Sequence, residues 1–188
     1  MKSLFYFLAV SLFFAGCSYK NEAIRLKPYE SDYAGALSKE KKSVYIRIVK
    51  DIRADKRDIG FTEANGKKDV TLYSDVDFAD RYKEGLVRAL KMAQFETDGD
   101  PQKASLTVDV HIKKITVIYN NKTFDENLVG EIDVEVMIRK NAAVTILNFK
   151  ERNGKWISPS YDSKDIEPFL YAMFSNSIND IVSKLTNY

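Results

Sequence analysis

The stretch Leu106-Thr107-Val108-Asp109-Val110-His111-Ile112-Lys113-Lys114-Ile115-Thr116-Val117-Ile118-Tyr119 decides the fold class. Leu106, Val108, Val110 and Ile112 keep one parity, and Ile115, Val117 and Tyr119 keep the other. Alternation with period 2 is the mark of a half-buried strand, and a single extra residue exchanges its two faces. The slip over Lys113-Lys114 therefore predicts a bulge or sharp twist in one long strand. Beyond a turn at Asn120-Asn121-Lys122, the run from Gly130 to Lys140 alternates without a slip. It sets Ile132, Val134, Val136 and Ile138 against Glu131, Asp133, Glu135 and Arg139. One face of this sheet is apolar and the other wet, which antiparallel sheets readily allow. Asn141-Ala142 then turns the chain into Val144–Phe149, and Glu151-Arg152-Asn153-Gly154-Lys155 reads as a polar loop before Trp156.

Upstream, Val44, Ile46 and Ile48 alternate with Tyr45, Arg47 and Val49 in a further strand, followed by a loop dense in both charges from Asp51 to Gly60. Asn65-Gly66 is a hairpin turn, since a type I′ turn needs positive φ at both central positions, and it predicts a short β arm. Ser74 or Asp75 is the expected N-cap of a helix reaching about Gln94, with Ala79, Tyr82, Leu86, Ala89, Leu90 and Ala93 on one face. Asp98-Gly99-Asp100-Pro101 ends it. Ser163 or Asp165 should cap a last helix whose stripe of Ile166, Phe169, Leu170, Met173, Phe174, Ile178, Ile181, Val182 and Leu185 belongs to a core. Residues 43–188 are thus expected to form a single α+β domain. Its two helices pack on one face of a mainly antiparallel sheet of four to five strands, in the order β, β arm, α, β, β, β, α.

The start of the chain has a different character. Met1-Lys2 gives a positive start, and Leu4 to Phe14 is an uncharged, largely apolar run too short for the roughly 20 residues that a spanning helix needs. That pattern describes a secretory signal. Ala15-Gly16-Cys17 resembles the lipobox of bacterial lipoproteins, and the resemblance implies that residues 1–16 are cleaved, that Cys17 is lipidated, and that Ser18 favours the outer membrane. Residues 17–42 follow as a lipidated N-terminus and flexible tether, with a reach of roughly 25 to 30 Å. Tyr19, Tyr29 and Tyr33 leave room for partial docking of that tether onto the domain.

Composition excludes several classes of function. Against 29 Lys and Arg stand 27 Asp and Glu, and only Lys2 leaves with the signal, so no basic footprint for nucleic acid is present. The one cysteine is used by the lipid, which leaves no disulfide, thiolate metal site or cysteine nucleophile. The one histidine, His111, should face solvent beside Asp109 and Lys113. The eight glycines show no phosphate-cradling spacing. Asp51, Asp55 and Asp58 could together ligate a hard cation, although the interleaved Arg53, Lys56 and Arg57 favour ion pairs instead. The expectation is a protein that is not an enzyme and uses no cofactor and no metal. His111, Lys113, Glu131, Asp133 and Glu135 on the wet sheet face, with any free sheet edge, are its candidate partner surface.

Taken in order, the lipobox, the tether, a strand leading into Asp51-x-Arg53 and Ile59-Gly60, a strand ending in Ser74 before an amphipathic helix, a long strand, a hairpin and a terminal amphipathic helix resemble the YajG-like family of bacterial outer-membrane lipoproteins. Members of that family have no established activity, so the resemblance implies place and fold. It leads to the expectation of an outer-membrane, lipid-anchored module, periplasmic or exposed at the cell surface, that binds or assembles with a protein or lipopolysaccharide partner. A surface adhesin and a cation-dependent activity at Asp51/Asp55/Asp58 are the alternatives.

Overall fold

The strand predicted over 106–119 is the spine of the fold. The computed structural model describes residues 21–30, 33–97, 100–122 and 125–188. The elements are β1 (Asn21–Ala23), β2 (Val44–Asp51), β3 (Asp58–Ala64), β4 (Lys67–Tyr73), α1 (Phe78–Met92), β5 (Leu106–Asn120), β6 (Leu128–Lys140), β7 (Ala143–Lys155) and α2 (Ser163–Leu185). Along one side of β5, β2 and β3 lie end to end: Val44–Asp51 pairs with Leu106–Ile112 and Gly60–Glu63 with Val117–Asn120. Along its other side run β6 and then β7.

This corrects the expected mainly antiparallel sheet of four to five strands. The sheet is seven-stranded and mixed, in the order β1-β4-β3-β5-β6-β7, with β2 also on β5. The pairs β1–β4, β2–β5 and β3–β5 are parallel. Alternation fixes which side chains share a face but not which way a neighbour runs. Direction is set here by α1, whose 15 residues carry the chain about 22 Å onward from the end of β4 to the start of β5. The polar loop expected at Glu151–Lys155 is instead the end of β7, paired from Glu131↔Arg152 to Leu128↔Lys155.

Local chemistry explains the remaining joints. The parity slip is a β-bulge, with a register shift between Ile112 and Lys114. Asn65 and Gly66 turn β3 into β4 with φ of 53° and 73°. Gly60 has φ 140°, and a Cβ there would lie 1.8 Å from the Val117 carbonyl oxygen, so only glycine lets β3 approach β5. Asp77, rather than Ser74 or Asp75, caps α1 by accepting from the N–H groups of Ala79 and Asp80. Asp162 forms a capping box with Asp165 at the start of α2.

Both helices lie on one face of the sheet, and the whole expected stripe of α2 is buried with Tyr82, Leu86, Ala89 and Leu90 of α1. The expected free tether gives way from Asn21 onward to a docked strap. β1 pairs with β4, Ile24, Leu26 and Tyr29 are buried, and the Tyr29 hydroxyl donates to Asn179 Oδ1 at 2.5 Å. Further along, the Ser38 N–H donates to the Ala93 carbonyl. These apolar side chains bury at irregular spacing, so no periodicity announces them. Cys17 and the signal lie outside the described residues.

Candidate binding face

With the helices on one side, the other side of β2, β5, β6 and β7 is an open face built by cross-strand register. Four rows define it. Thr107, Arg139 and Val144 form the first; Ile48, Asp109, Met137 and Ile146 the second; Lys50, His111, Glu135 and Asn148 the third. Lys114, Asp133 and Lys150 form the fourth, with Glu131 and Arg152 one step further along.

All five residues expected on the wet face are there. Glu135 sits between His111, whose Nδ1 is 3.6 Å away, and Lys113 at 3.5 Å, and Lys113 also donates to Asn148 Oδ1 at 3.1 Å. Glu131 meets Lys114 at 3.3 Å, Lys150 at 3.6 Å and Arg152 at 3.0 Å. Partial burial raises the Glu131 pKa, but these three cations outweigh it and hold the carboxyl below its usual range. Asp133 lies 3.9 Å from Lys150, and its Oδ1 makes no hydrogen bond. The bulge places both Lys113 and Lys114 on this face, so the local break in alternation supplies two cations to neighbouring carboxylates.

Sequence reasoning missed the strongest cluster. Asp109, 4% exposed, accepts from Arg47 Nε at 2.7 Å, from Arg47 Nη2, and from Arg139 Nη1 at 2.6 Å. Hydrogen bonds from Arg47, then from Arg139, hold its carboxyl below the ordinary carboxylate range despite burial. The parity of Asp109 and Arg139 was visible in the sequence. The partnership with Arg47 depends on the parallel register of β2, which was not. Beside this cluster stand exposed apolar side chains: Val144 at 55%, Ile146 at 53% and Ile48 at 42%.

The Asp51/Asp55/Asp58 loop does not assemble a cation site. Asp51 is buried and takes a two-pronged ion pair from Arg53, at 3.0 Å from Nε and 2.7 Å from Nη2. Arg53 also donates to the carbonyls of Asp58 and Lys56 and stacks 4.9 Å over the Phe78 ring. Asp55 accepts from the N–H groups of Arg57 and Asp58, which hold its carboxyl below the usual range, and Asp58 accepts from the Gly60 N–H. The loop is the clasp between β2 and β3. Beside it a cleft of 490 Å³ reaches the start of α1, but its polar groups serve one another through the 2.7 Å Arg57–Asp75 pair and the Asp77 cap. Among the described residues, no three His, Cys, Asp or Glu side chains are grouped to hold a metal ion.

No family model matches the sequence, and no curated protein matches it. Solved structures do share its architecture. The crystal structure of protein XCC0632 from Xanthomonas campestris, of the DUF330 family, has a TM-score of 0.53 at 13% identity, covering 89% of this chain and 92% of that one. An uncharacterized protein has a TM-score of 0.53 at 9% identity, covering 88% and 99%. The hypothetical protein CT253 from Chlamydia trachomatis follows with 0.46 at 12% identity, covering 78% and 97%. At such identities the first two likenesses are of fold: this chain has the same architecture as the DUF330 protein over nearly the full length of both.

Proposed function

We propose that the chain is a non-enzymatic outer-membrane lipoprotein, anchored through Cys17, whose domain works in the cell envelope as a binding or assembly module. The observation that supports this reading best is the division of labour between the two sheet faces. One is sealed by both helices and the strap, while the other is left open, charged and bordered by the edge strand β7. The position of Asn21 supports the anchor: only three residues separate it from Cys17, and a fold that begins there would sit directly against the lipid surface. A lasting anchor of this kind needs two or more acyl chains.

Metabolic labelling with a palmitate analogue, followed by membrane fractionation, tests the anchor. The parent chain should carry label and sediment with membranes, and Cys17→Ala should lose the label and become soluble. Label retained by the variant, or absent from the parent, overturns the anchoring. The module is tested by a photoreactive residue at Asn148 on the open face and, as a control, at Lys83 on α1. A defined envelope protein crosslinked from Asn148 alone is the expected result, and equal crosslinking from both positions overturns it.

A further inference from the structure

The edge strand β7 is paired to β6 over its full 13 residues and, among the described residues, has no strand on its other side. Every second residue of such an edge turns its N–H and C=O outward, a ready template for another strand. Natural edges are blunted by charge, and β7 is blunted in one half only. Lys150 and Arg152 guard its second half, while Val144 and Ile146 stand exposed in its first.

The surrounding face carries a surplus of positive charge. In its ion pairs, six basic side chains meet four carboxylates: Arg47 and Arg139 share Asp109, and Lys113, Lys114, Lys150 and Arg152 share Glu131, Asp133 and Glu135. We propose that β7 accepts an extended segment of a partner protein as an added strand, with acidic side chains set against Lys150 and Arg152 and apolar ones against Val144 and Ile146. This rests on the reading of the chain as a binding module and names the kind of partner.

Two other occupants fit less well. A second copy pairing β7 with β7 about Asn148 would set Val144 against Arg152 and Ile146 against Lys150, apolar against charged along the whole contact. A lipid surface would meet only the Arg152 end of the strand, which lies level with Thr116, and not the apolar end. The chain joins the fold at Asn21, level through Thr71 and Phe61 with Ile118, whereas the Arg139–Val144 row lies at Thr107. That is about 35 Å away along β5.

The full chain in non-ionic detergent is titrated with the fluorescent peptide Asp-Thr-Asp-Val-Thr-Val-Val-Thr-Val, whose odd positions set two Asp against Arg152 and Lys150 and two Val against Ile146 and Val144 in an antiparallel pairing. The controls are a scramble that breaks this matching and a version with Lys for Asp. Amide exchange is followed over β7. The matched acidic peptide should bind at least about tenfold tighter than either control and protect β7 amides, and Ile146→Asp, at an exposed position that leaves circular dichroism unchanged, should lose that advantage. Equal binding of the scramble overturns the proposal. Protection of β7 by self-association without peptide overturns it in favour of a second copy, and protection by phosphatidylglycerol vesicles overturns it in favour of a membrane. Because no arm depends on lipid at Cys17, failure here is separable from failure of the labelling assay.

Discussion

Removing the Arg53 guanidinium tests whether the clasp between β2 and β3 holds the sheet together. In the native fold Arg53 and Asp51 are 6% and 4% exposed, so their charges have no water to fall back on. Arg53→Ala strands the Asp51 carboxylate, and breaking a buried pair from one side costs about 3–5 kcal/mol. The variant also frees the carbonyls of Asp58 and Lys56 and the face of Phe78, but these losses overlap with the first and are not simply additive. A net loss of about 4 kcal/mol would lower the melting temperature by about 8–16 °C in a chain of this size. Urea denaturation followed by circular dichroism gives the loss directly from the shifted midpoint. Asp51→Ala/Arg53→Ala removes the stranded charge, so it should be at least about 1 kcal/mol more stable than the sum of the single losses. A single-variant loss below about 1 kcal/mol, in the range of surface pairs, would refute the reasoning, as would strict additivity of the two substitutions.

Gly60→Ala should be among the most destabilising single changes, because its Cβ meets backbone at 1.8 Å, whereas Gly66→Ala, with open space around it, should cost only about 1–2 kcal/mol for its positive φ; paired urea melts compare the two, and equal losses would count against the close approach of β3 to β5. Tyr29→Ala should cost about 3–5 kcal/mol if the strap is part of the core, and a melt indistinguishable from the parent would restore the free tether. Asp109 has a folded-state pKa below its unfolded value, so its contribution is fully present above about pH 4 and is lost as pH falls through the lowered value; urea midpoints between pH 2 and 6 should show a shallower acid limb for Asp109→Asn, and an unchanged limb would remove Asp109 from that role.

How far the sequence reveals this protein follows from what each signal physically encodes. Side-chain alternation reports burial, so the faces of β5 and β6 and the bulge at Lys113-Lys114 were legible, as were the turns at Asn65-Gly66 and Asn141, which depend on two residues each. Strand direction depends on where α1 returns the chain, and the strap depends on apolar residues without a period, so the parallel pairs and the burial of Ile24, Leu26 and Tyr29 were not. The same division applies to the open face. Glu131, Asp133, Glu135, His111 and Lys113 follow from parity within strands, but Arg47 reaches Asp109 only because β2 lies parallel on β5. A charge pattern read strand by strand therefore suggests a face of acids, whereas the assembled rows carry more cations than carboxylates. Register, not composition, sets the sign of this surface. The near-neutral chain presents a basic face because β2 on one side of the spine and β6 and β7 on the other turn their cations to the same face of the sheet.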